Sequence, residues 1–143
     1  MPSFTVSLAL ALTAALNTNP SAPAPVLQSA PQAQTIKEYV QEYFADEPLM
    51  VDISQCESHF RQFNSKGTVY RGAVNDQDVG VMQINERYHL ETSKKLGYDI
   101  YTIQGNVAYA RYLFEKEGAT PWASSQPCWG KTQSAKLFAL ASK

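Results

Sequence analysis

The first 36 residues of the chain carry no charged side chain, and this limits where a folded domain can lie. Within them, residues 17–34 are rich in Pro, Ala, Ser and Gln, a composition that buries too little apolar surface to order itself. We therefore expect residues 25–34 to be a disordered linker and residues 35–143 to form the folded domain. Those 109 residues suffice for one modest core, so a covalent cross-link would help to stabilise it.

An apolar run of 11 residues, 6–16, precedes the linker and is too short to span a bilayer as a helix. It fits the hydrophobic region of a secretory signal, with Ala22-Pro23-Ala24 as a small-x-small cleavage site. We expect residues 1–24 to be a signal peptide and the protein to be secreted or in the cell envelope, without stable membrane insertion after cleavage. The alternative is an uncleaved anchor or a flexible tail.

The chain has two cysteines, Cys56 and Cys128. An even count behind a secretion-like start favours one disulfide, closing a 72-residue loop and contributing roughly 4 kcal/mol in the chain-entropy model. Two free buried thiols are an alternative, and Cys56 with His59 could form a nucleophile pair. Because no suitable histidine cluster accompanies the cysteines, we do not expect a zinc site. We expect no other metal and no cofactor.

Apolar residues recur at helical spacing through the proposed domain. Ile36, Val40 and Phe44 predict a first amphipathic helix. Asp46 is the expected N-cap of a second helix, with Pro48 in its first turn. Its buried stripe contains Leu49, Ile53, Cys56 and Phe60. Further helices are expected over 88–96, 103–117 and 135–140, a short strand over 68–70, and a turn-rich segment over 121–129.

Glu57 lies at the border of the second stripe, about 100° around the helix from Cys56. A carboxyl on such a border is partly desolvated, and desolvation raises its pKa. That is the condition for a carboxylic acid that still holds its proton near neutral pH. The alternative is an ordinary solvated glutamate near a helix end.

A loop rich in Asn and Asp follows, for which we expect turns rather than a calcium site. After this loop comes a second segment with candidate functional side chains. It reads Asp78-Val79-Gly80-Val81-Met82-Gln83-Ile84-Asn85, with a glycine close to two amides and with apolar residues between them. An acid that faces amide side chains across a cleft suits sugar chemistry. The carboxyl protonates a leaving oxygen while the amides hold acetamido and hydroxyl groups.

These residues carry a resemblance to a known family. Glu57-Ser58, followed by Gly80-Val81-Met82-Gln83-Ile84-Asn85, resembles the lysozyme-like superfamily, and is closest to small lytic transglycosylases of the soluble-lytic-transglycosylase type. The Asp78-x-Gly80-x-x-Gln83-Ile84-Asn85 pattern also resembles animal lysozymes. Asn106 with Tyr112-Leu113 matches a third element of the transglycosylase pattern, with Ala110 where glycine is common. The similarity covers roughly residues 45–125.

The resemblance implies a mainly α (α+β) fold: a lysozyme-like helical domain with a small loop or β-hairpin lobe and a cleft between them. It implies Glu57 as the catalytic acid, with Asp78 as a second candidate carboxylate or a plain loop residue. In the family pattern, Tyr112 orients the acid through its hydroxyl; the alternative is a tyrosine of the core. Met82 would lie beneath the cleft, and we expect it to be plain core. The expected substrate-binding residues are Ser58, Gln83, Asn85, Asn106 and Tyr112.

The implied partner is the glycan strand of peptidoglycan, bound by a monomer. A formal net charge of −1 provides no broad attraction to nucleic acid. In a lytic transglycosylase, Glu57 is first acid and then base, and the product has a 1,6-anhydro end. In a hydrolytic muramidase, Asp78 assists and water completes the reaction. The domain could instead bind peptidoglycan without catalysis, or be a secreted structural domain in which the motif arose by chance.

Overall fold

A computed structural model describes residues 33–142 of the chain, and most of these residues are helical. They belong to one compact unit, and the only sheet within it has two antiparallel strands. The predicted mainly helical class is therefore confirmed. The predicted signal peptide, residues 1–24, lies outside the described residues, as does the predicted linker up to residue 32. The elements are α1 (Ile36–Tyr43), α2 (Pro48–Ser58), β1 (Asp78–Val79), β2 (Ile84–Asn85), α3 (Glu86–Lys95), α4 (Ile103–Glu117), a 3₁₀ helix (Thr120–Ser125), α5 (Gln126–Trp129) and α6 (Gln133–Ala141).

Helix α1 begins with a capping box, in which the first and fourth residues each accept a hydrogen bond from the other's backbone N–H. The Thr35 hydroxyl accepts from the Glu38 backbone N–H at 3.2 Å, and the Glu38 carboxylate accepts from the Thr35 N–H at 2.8 Å. Val40 and Phe44 are fully buried, as the helical spacing predicts.

Helix α2 begins at Pro48, but the prediction that Asp46 is its N-cap is wrong. The capping position belongs to Glu47, whose side chain makes no capping hydrogen bond. Asp46 instead accepts a charged hydrogen bond from Arg111 of α4 at 2.8 Å. Asp46 lies one residue too far from Pro48 to cap the helix, and the guanidinium gives its carboxylate a charged partner.

A β-hairpin follows the long loop after α2. Its register pairs Asp78 with Asn85 and Val79 with Ile84, so residues 80–83 form the turn. The strand predicted over 68–70 is wrong, because Val69 forms only an isolated bridge with Phe63. The residues on both sides of that bridge do not extend it into a strand.

The later helices agree with the predictions to differing degrees. Helix α4 has the predicted bounds, while α3 begins two residues before the prediction and α6 extends beyond it at both ends. The segment predicted to be rich in turns contains the 3₁₀ helix and α5. Their shortness and their prolines conceal the helical period that a longer helix displays.

The hydrophobic core draws on helices and hairpin alike. Met82 is fully buried, so the prediction that it belongs to the core is confirmed. The other apolar side chains with essentially no exposure are Val40, Phe44, Leu49, Met50, Ile53, Val79, Val81, Ile100, Val107 and Ala110. The hairpin turn is therefore enclosed by helices.

A disulfide joins Cys56 of α2 to Cys128 of α5, with Cα atoms 6.0 Å apart. The predicted cross-link is confirmed. Both sulfur atoms are used, so neither free thiols nor a Cys56 nucleophile is present. Within residues 33–142, none of the helices combines the length and apolar character that crossing a bilayer requires.

We expect a Cys56→Ser/Cys128→Ser double variant to lose about 2–4 kcal/mol of unfolding free energy, because the unfolded chain is no longer closed into a loop. Urea denaturation would measure this, and wild-type protein in excess reductant should behave like the variant. An unchanged denaturation midpoint would contradict the expectation.

Candidate active site

Glu57 lies on the last turn of α2, with its carboxyl half-buried. The Ser125 hydroxyl at the end of the 3₁₀ helix donates to Glu57 Oε1 at 2.6 Å. Glu57 lines a cavity of about 360 Å³. The cavity is also lined by Asn75, Asp78, Gln83, Ile84, Asn85, Tyr88, His89, Leu113, Glu117, Pro121, Trp122 and Ser124. The predicted acid, the candidate second carboxylate and the two predicted amides thus share one cavity.

The pKa of the Glu57 carboxyl is raised, chiefly because burial penalises its charged form. The hydrogen bond from Ser125 acts in the opposite direction, since it stabilises the carboxylate. The negative charge of Asp78 raises the pKa further. The environment therefore favours a carboxyl that keeps its proton at higher pH than a solvated glutamate would.

Asp78 is held by two asparagines that come from either side of it in the chain. Its Oδ1 accepts from Asn85 Nδ2 at 2.7 Å and from Asn75 Nδ2 at 3.2 Å. The first contact follows from the hairpin register, in which the two residues are directly opposite. Asn85 Oδ1 is buried without a hydrogen-bond partner, so one amide acceptor on the cavity wall is unsatisfied.

Three residues other than glycine have positive φ in the described part of the chain, two directly after the Glu57-Ser58 motif and one inside the Gly80–Asn85 motif. His59 (φ 55°) and Phe60 (φ 59°) follow Glu57, and Gln83 (φ 48°) closes the hairpin turn. The left-handed region is unfavourable for such residues and persists where surrounding contacts enforce it. For Gln83, one such contact is the bond from its Nε2 to the Gly80 carbonyl at 2.9 Å.

Buried side chains form hydrogen bonds with the backbone N–H and carbonyl groups of the hairpin turn. The Ser58 hydroxyl donates to the Val81 carbonyl at 2.8 Å, and the Val81 N–H donates to Gln62 Oε1 at 2.9 Å. The Met82 N–H donates to Asn106 Oδ1 at 2.9 Å, and Asn106 Nδ2 donates to the Val79 and Ile100 carbonyls.

Ser58 and Asn106, both predicted to bind substrate, are fully buried and lie behind the cavity wall rather than on it. Their polar atoms are used by the protein itself. The structure therefore gives each of them a positioning role toward the turn that carries Gln83.

Gly80 leaves no room for a side chain where the turn meets Asn106 and Gln62. Its φ is 72°, and a Cβ there would lie 2.7 Å from Gln62 Oε1. The glycine of the motif is thus required both by backbone conformation and by space.

The family pattern predicts that Tyr112 orients the acid, but the structure does not bring its hydroxyl to Glu57. That hydroxyl accepts from Lys116 Nζ at 2.9 Å, and the ring stacks on Tyr109 with centroids 5.6 Å apart. Tyr112 is also absent from the cavity lining. The hydrogen bond expected from Tyr112 comes from Ser125.

No sequence pattern predicts that His89, Glu117 and Tyr88 line the cavity. His89 Nδ1 lies 3.0 Å from the hydroxyl of buried Tyr109, and burial lowers the pKa of the imidazole. Its position on the cavity wall beside Glu117 follows from no motif in the sequence. Tyr88, also on the wall, is 73% exposed.

Both tryptophans are buried, and their indoles donate to backbone carbonyls. Trp122 Nε1 donates to Met82 O at 2.9 Å, and Trp129 Nε1 donates to Trp122 O at 3.0 Å. Only Trp122 reaches the cavity wall. The sequence does contain a signal that places Ser125 near Glu57. Cys56 directly precedes Glu57, and Cys128 lies three residues after Ser125, so the predicted disulfide brings these two segments together.

Residues 33–142 contain no group of three or more His, Cys, Asp or Glu side chains placed to hold a metal ion. Comparisons of the chain with protein-family models, curated proteins and solved structures gave no match.

The raised pKa of Glu57 makes its contribution to stability depend on pH. That contribution is complete below the unfolded pKa of about 4.3 and is lost as pH rises through the folded pKa. We expect Glu57→Gln, which cannot ionise, to gain unfolding free energy relative to wild type across that window.

Urea denaturation at a series of pH values measures this difference. Glu115→Gln is the matched control, because Glu115 is exposed and lies outside the cavity lining. A pH-independent difference between Glu57→Gln and wild type would contradict the expectation.

Proposed function

We propose that the protein cleaves glycosidic bonds in the glycan strands of peptidoglycan, with Glu57 as the general acid. The observation that carries the proposal is one half-buried carboxyl, with its pKa raised by burial, in a cavity that amide side chains also line. A positioned carboxylic acid of raised pKa is what protonation of a leaving glycosidic oxygen requires.

The amide side chains on the cavity wall support an amino sugar as the substrate. Gln83 and Asn85 line the cavity with Asn75, and amides can both donate to and accept from acetamido and hydroxyl groups. The aromatic surface of Trp122 and the exposed ring of Tyr88 add apolar contact area for a sugar face.

The arrangement also agrees with a lysozyme-like relationship. The acid lies on the last turn of a helix, a β-hairpin carries the amides, and both elements line one cavity. Within that relationship we favour a lytic transglycosylase. Glu57 protonates the bridging oxygen between N-acetylmuramic acid and N-acetylglucosamine, then removes the proton of the muramyl 6-hydroxyl. That oxygen attacks the anomeric carbon and leaves a 1,6-anhydro end without using water.

A hydrolytic muramidase is the second candidate, and the position of Asp78 favours it. Its carboxylate lines the same cavity, is held by Asn85 and Asn75, and acts electrostatically on Glu57. Two carboxyls that share a cavity suit a mechanism in which the second supports the oxocarbenium ion or a covalent intermediate.

The disulfide and the absence of a bilayer-spanning helix from residues 33–142 are compatible with a secreted or cell-envelope protein. Peptidoglycan lies in such compartments. Export and a monomeric state remain part of the proposal.

We expect Glu57→Gln to lower the rate of peptidoglycan cleavage by about 10²–10⁴-fold, the usual contribution of a general acid. Release of soluble fragments from purified peptidoglycan measures the rate, and Glu115→Gln should keep wild-type activity. Undiminished cleavage by Glu57→Gln would exclude Glu57 as the acid. Binding to insoluble peptidoglycan without cleavage by wild type would favour a non-catalytic binding module.

We expect Asp78→Asn to go on releasing anhydro ends, with the alkaline limb of its pH–rate profile moved to lower pH. The reason is that loss of the Asp78 charge lowers the pKa of Glu57. Mass spectrometry distinguishes the products, since an anhydro end is one water lighter than a reducing end. Asp76→Asn is the control, because Asp76 is exposed in the loop just before β1 and does not line the cavity. Reducing ends from wild type, abolished in Asp78→Asn, would favour the hydrolase.

A further inference from the structure

The Ser125 hydroxyl has two acceptors but only one proton. Its Oγ lies 2.6 Å from Glu57 Oε1 and 3.1 Å from the Trp122 carbonyl oxygen. A serine hydroxyl donates one hydrogen bond and can accept two, so it serves only one of these oxygens at a time. Which oxygen receives its proton must depend on whether Glu57 carries one.

With Glu57 ionised, Ser125 donates to the carboxylate. The Trp122 carbonyl is still satisfied, because Trp129 Nε1 donates to it at 3.0 Å. With Glu57 protonated, the carboxyl O–H donates to Ser125 Oγ, and the serine proton rotates to the Trp122 carbonyl. Both states keep the Glu57 carboxyl, the hydroxyl and the carbonyl hydrogen-bonded, and neither requires a heavy atom to move.

We propose that Ser125 is a positioning residue that holds Glu57 in one orientation through both of its protonation states. This rests on the proposed function, in which the same carboxyl gives up a proton and then takes one. Such a carboxyl must not swing away when its charge changes, because small displacements of a reacting group slow the reaction strongly.

Ser125 is the only hydrogen-bond partner of the Glu57 side chain within residues 33–142. The other titratable side chains that line the cavity are Asp78 on β1, Tyr88 and His89 on α3, and Glu117 on α4. Asp78 acts on Glu57 through charge alone. No other described side chain supplies a directional contact that could replace the hydroxyl.

The surrounding structure keeps the two residues together independently of their hydrogen bond. Cys56 and Cys128 join the end of α2 to α5, directly after the 3₁₀ helix that carries Ser125. Ser125 does not itself line the cavity. Removing its hydroxyl should therefore disturb the orientation and pKa of Glu57 without removing a contact to substrate.

The test compares Ser125→Thr with Ser125→Val, two side chains of nearly the same shape that differ in the hydroxyl. Carbon-13 NMR of labelled glutamate carboxyls, assigned with Glu57→Gln, follows the titration of Glu57 directly. Ser125→Val is expected to raise the pKa of Glu57, because the carboxylate loses its donor. Ser125→Thr should restore the wild-type titration.

Peptidoglycan cleavage provides the second readout. In Ser125→Val we expect kcat to fall on the order of tenfold with KM unchanged, and the alkaline limb of the pH profile to move upward. Ser125→Thr should recover both. Ser65→Val, in an exposed loop, controls for the substitution, and thermal unfolding checks that each variant folds.

A Glu57 titration that is identical in wild type and Ser125→Val would overturn the proposal, whatever happens to the rate. Reduced activity in Ser125→Thr equal to that in Ser125→Val would also overturn it, since the hydroxyl would then be irrelevant. If the titration shifts as expected while cleavage does not depend on Glu57, the positioning contact stands and the proposed function fails.

Discussion

Burial of the turn between β1 and β2 is the constraint on which the rest of the structure depends. Val81 and Met82 enter the core with their backbone N–H and carbonyl groups, and such groups are costly to bury without partners. Ser58, Asn106 and Trp122 supply partners from α2, α4 and the 3₁₀ helix. Each bond therefore fixes a helix against the same short turn. The hairpin alone would be too small to be stable in water.

The same contacts define the cavity. The end of α2 is bonded to the turn through Ser58, so the Glu57 carboxyl and the amide of Gln83 lie on the walls of one cavity. The disulfide beside Glu57 then brings in the segment that carries Ser125. A carboxyl between these elements is partly withdrawn from water, which is why burial is the largest cause of its raised pKa. The packing that stabilises the fold thus also raises the pKa of the proposed acid.

Helical periodicity predicts the long helices well, because their buried faces repeat over several turns. Residues 103–117 are helical with the bounds that the pattern indicates, and Val40 and Phe44 are buried as expected. Short elements are predicted less well. Val69 forms only an isolated bridge, and the helices between Thr120 and Trp129 contain too few residues to display a period. Asp46 lies one residue too far from Pro48 to cap α2, and its carboxylate instead accepts from Arg111, a partner 65 residues away.

The sequence by itself determined which residues are candidates for the proposed chemistry, namely a glutamate on the border of an apolar stripe and the Asp78–Asn85 segment, and which pair of cysteines forms the cross-link. It could do so because helical spacing and short motifs are local. Only the tertiary structure decided which polar residues face the cavity and which work inside the protein. Ser58 and Asn106 are buried and form hydrogen bonds with backbone groups of the hairpin turn. Ser125, 68 positions from Glu57, is the hydrogen-bond partner of its carboxyl. No local pattern encodes that choice, because it depends on where chain segments far apart in sequence come into contact.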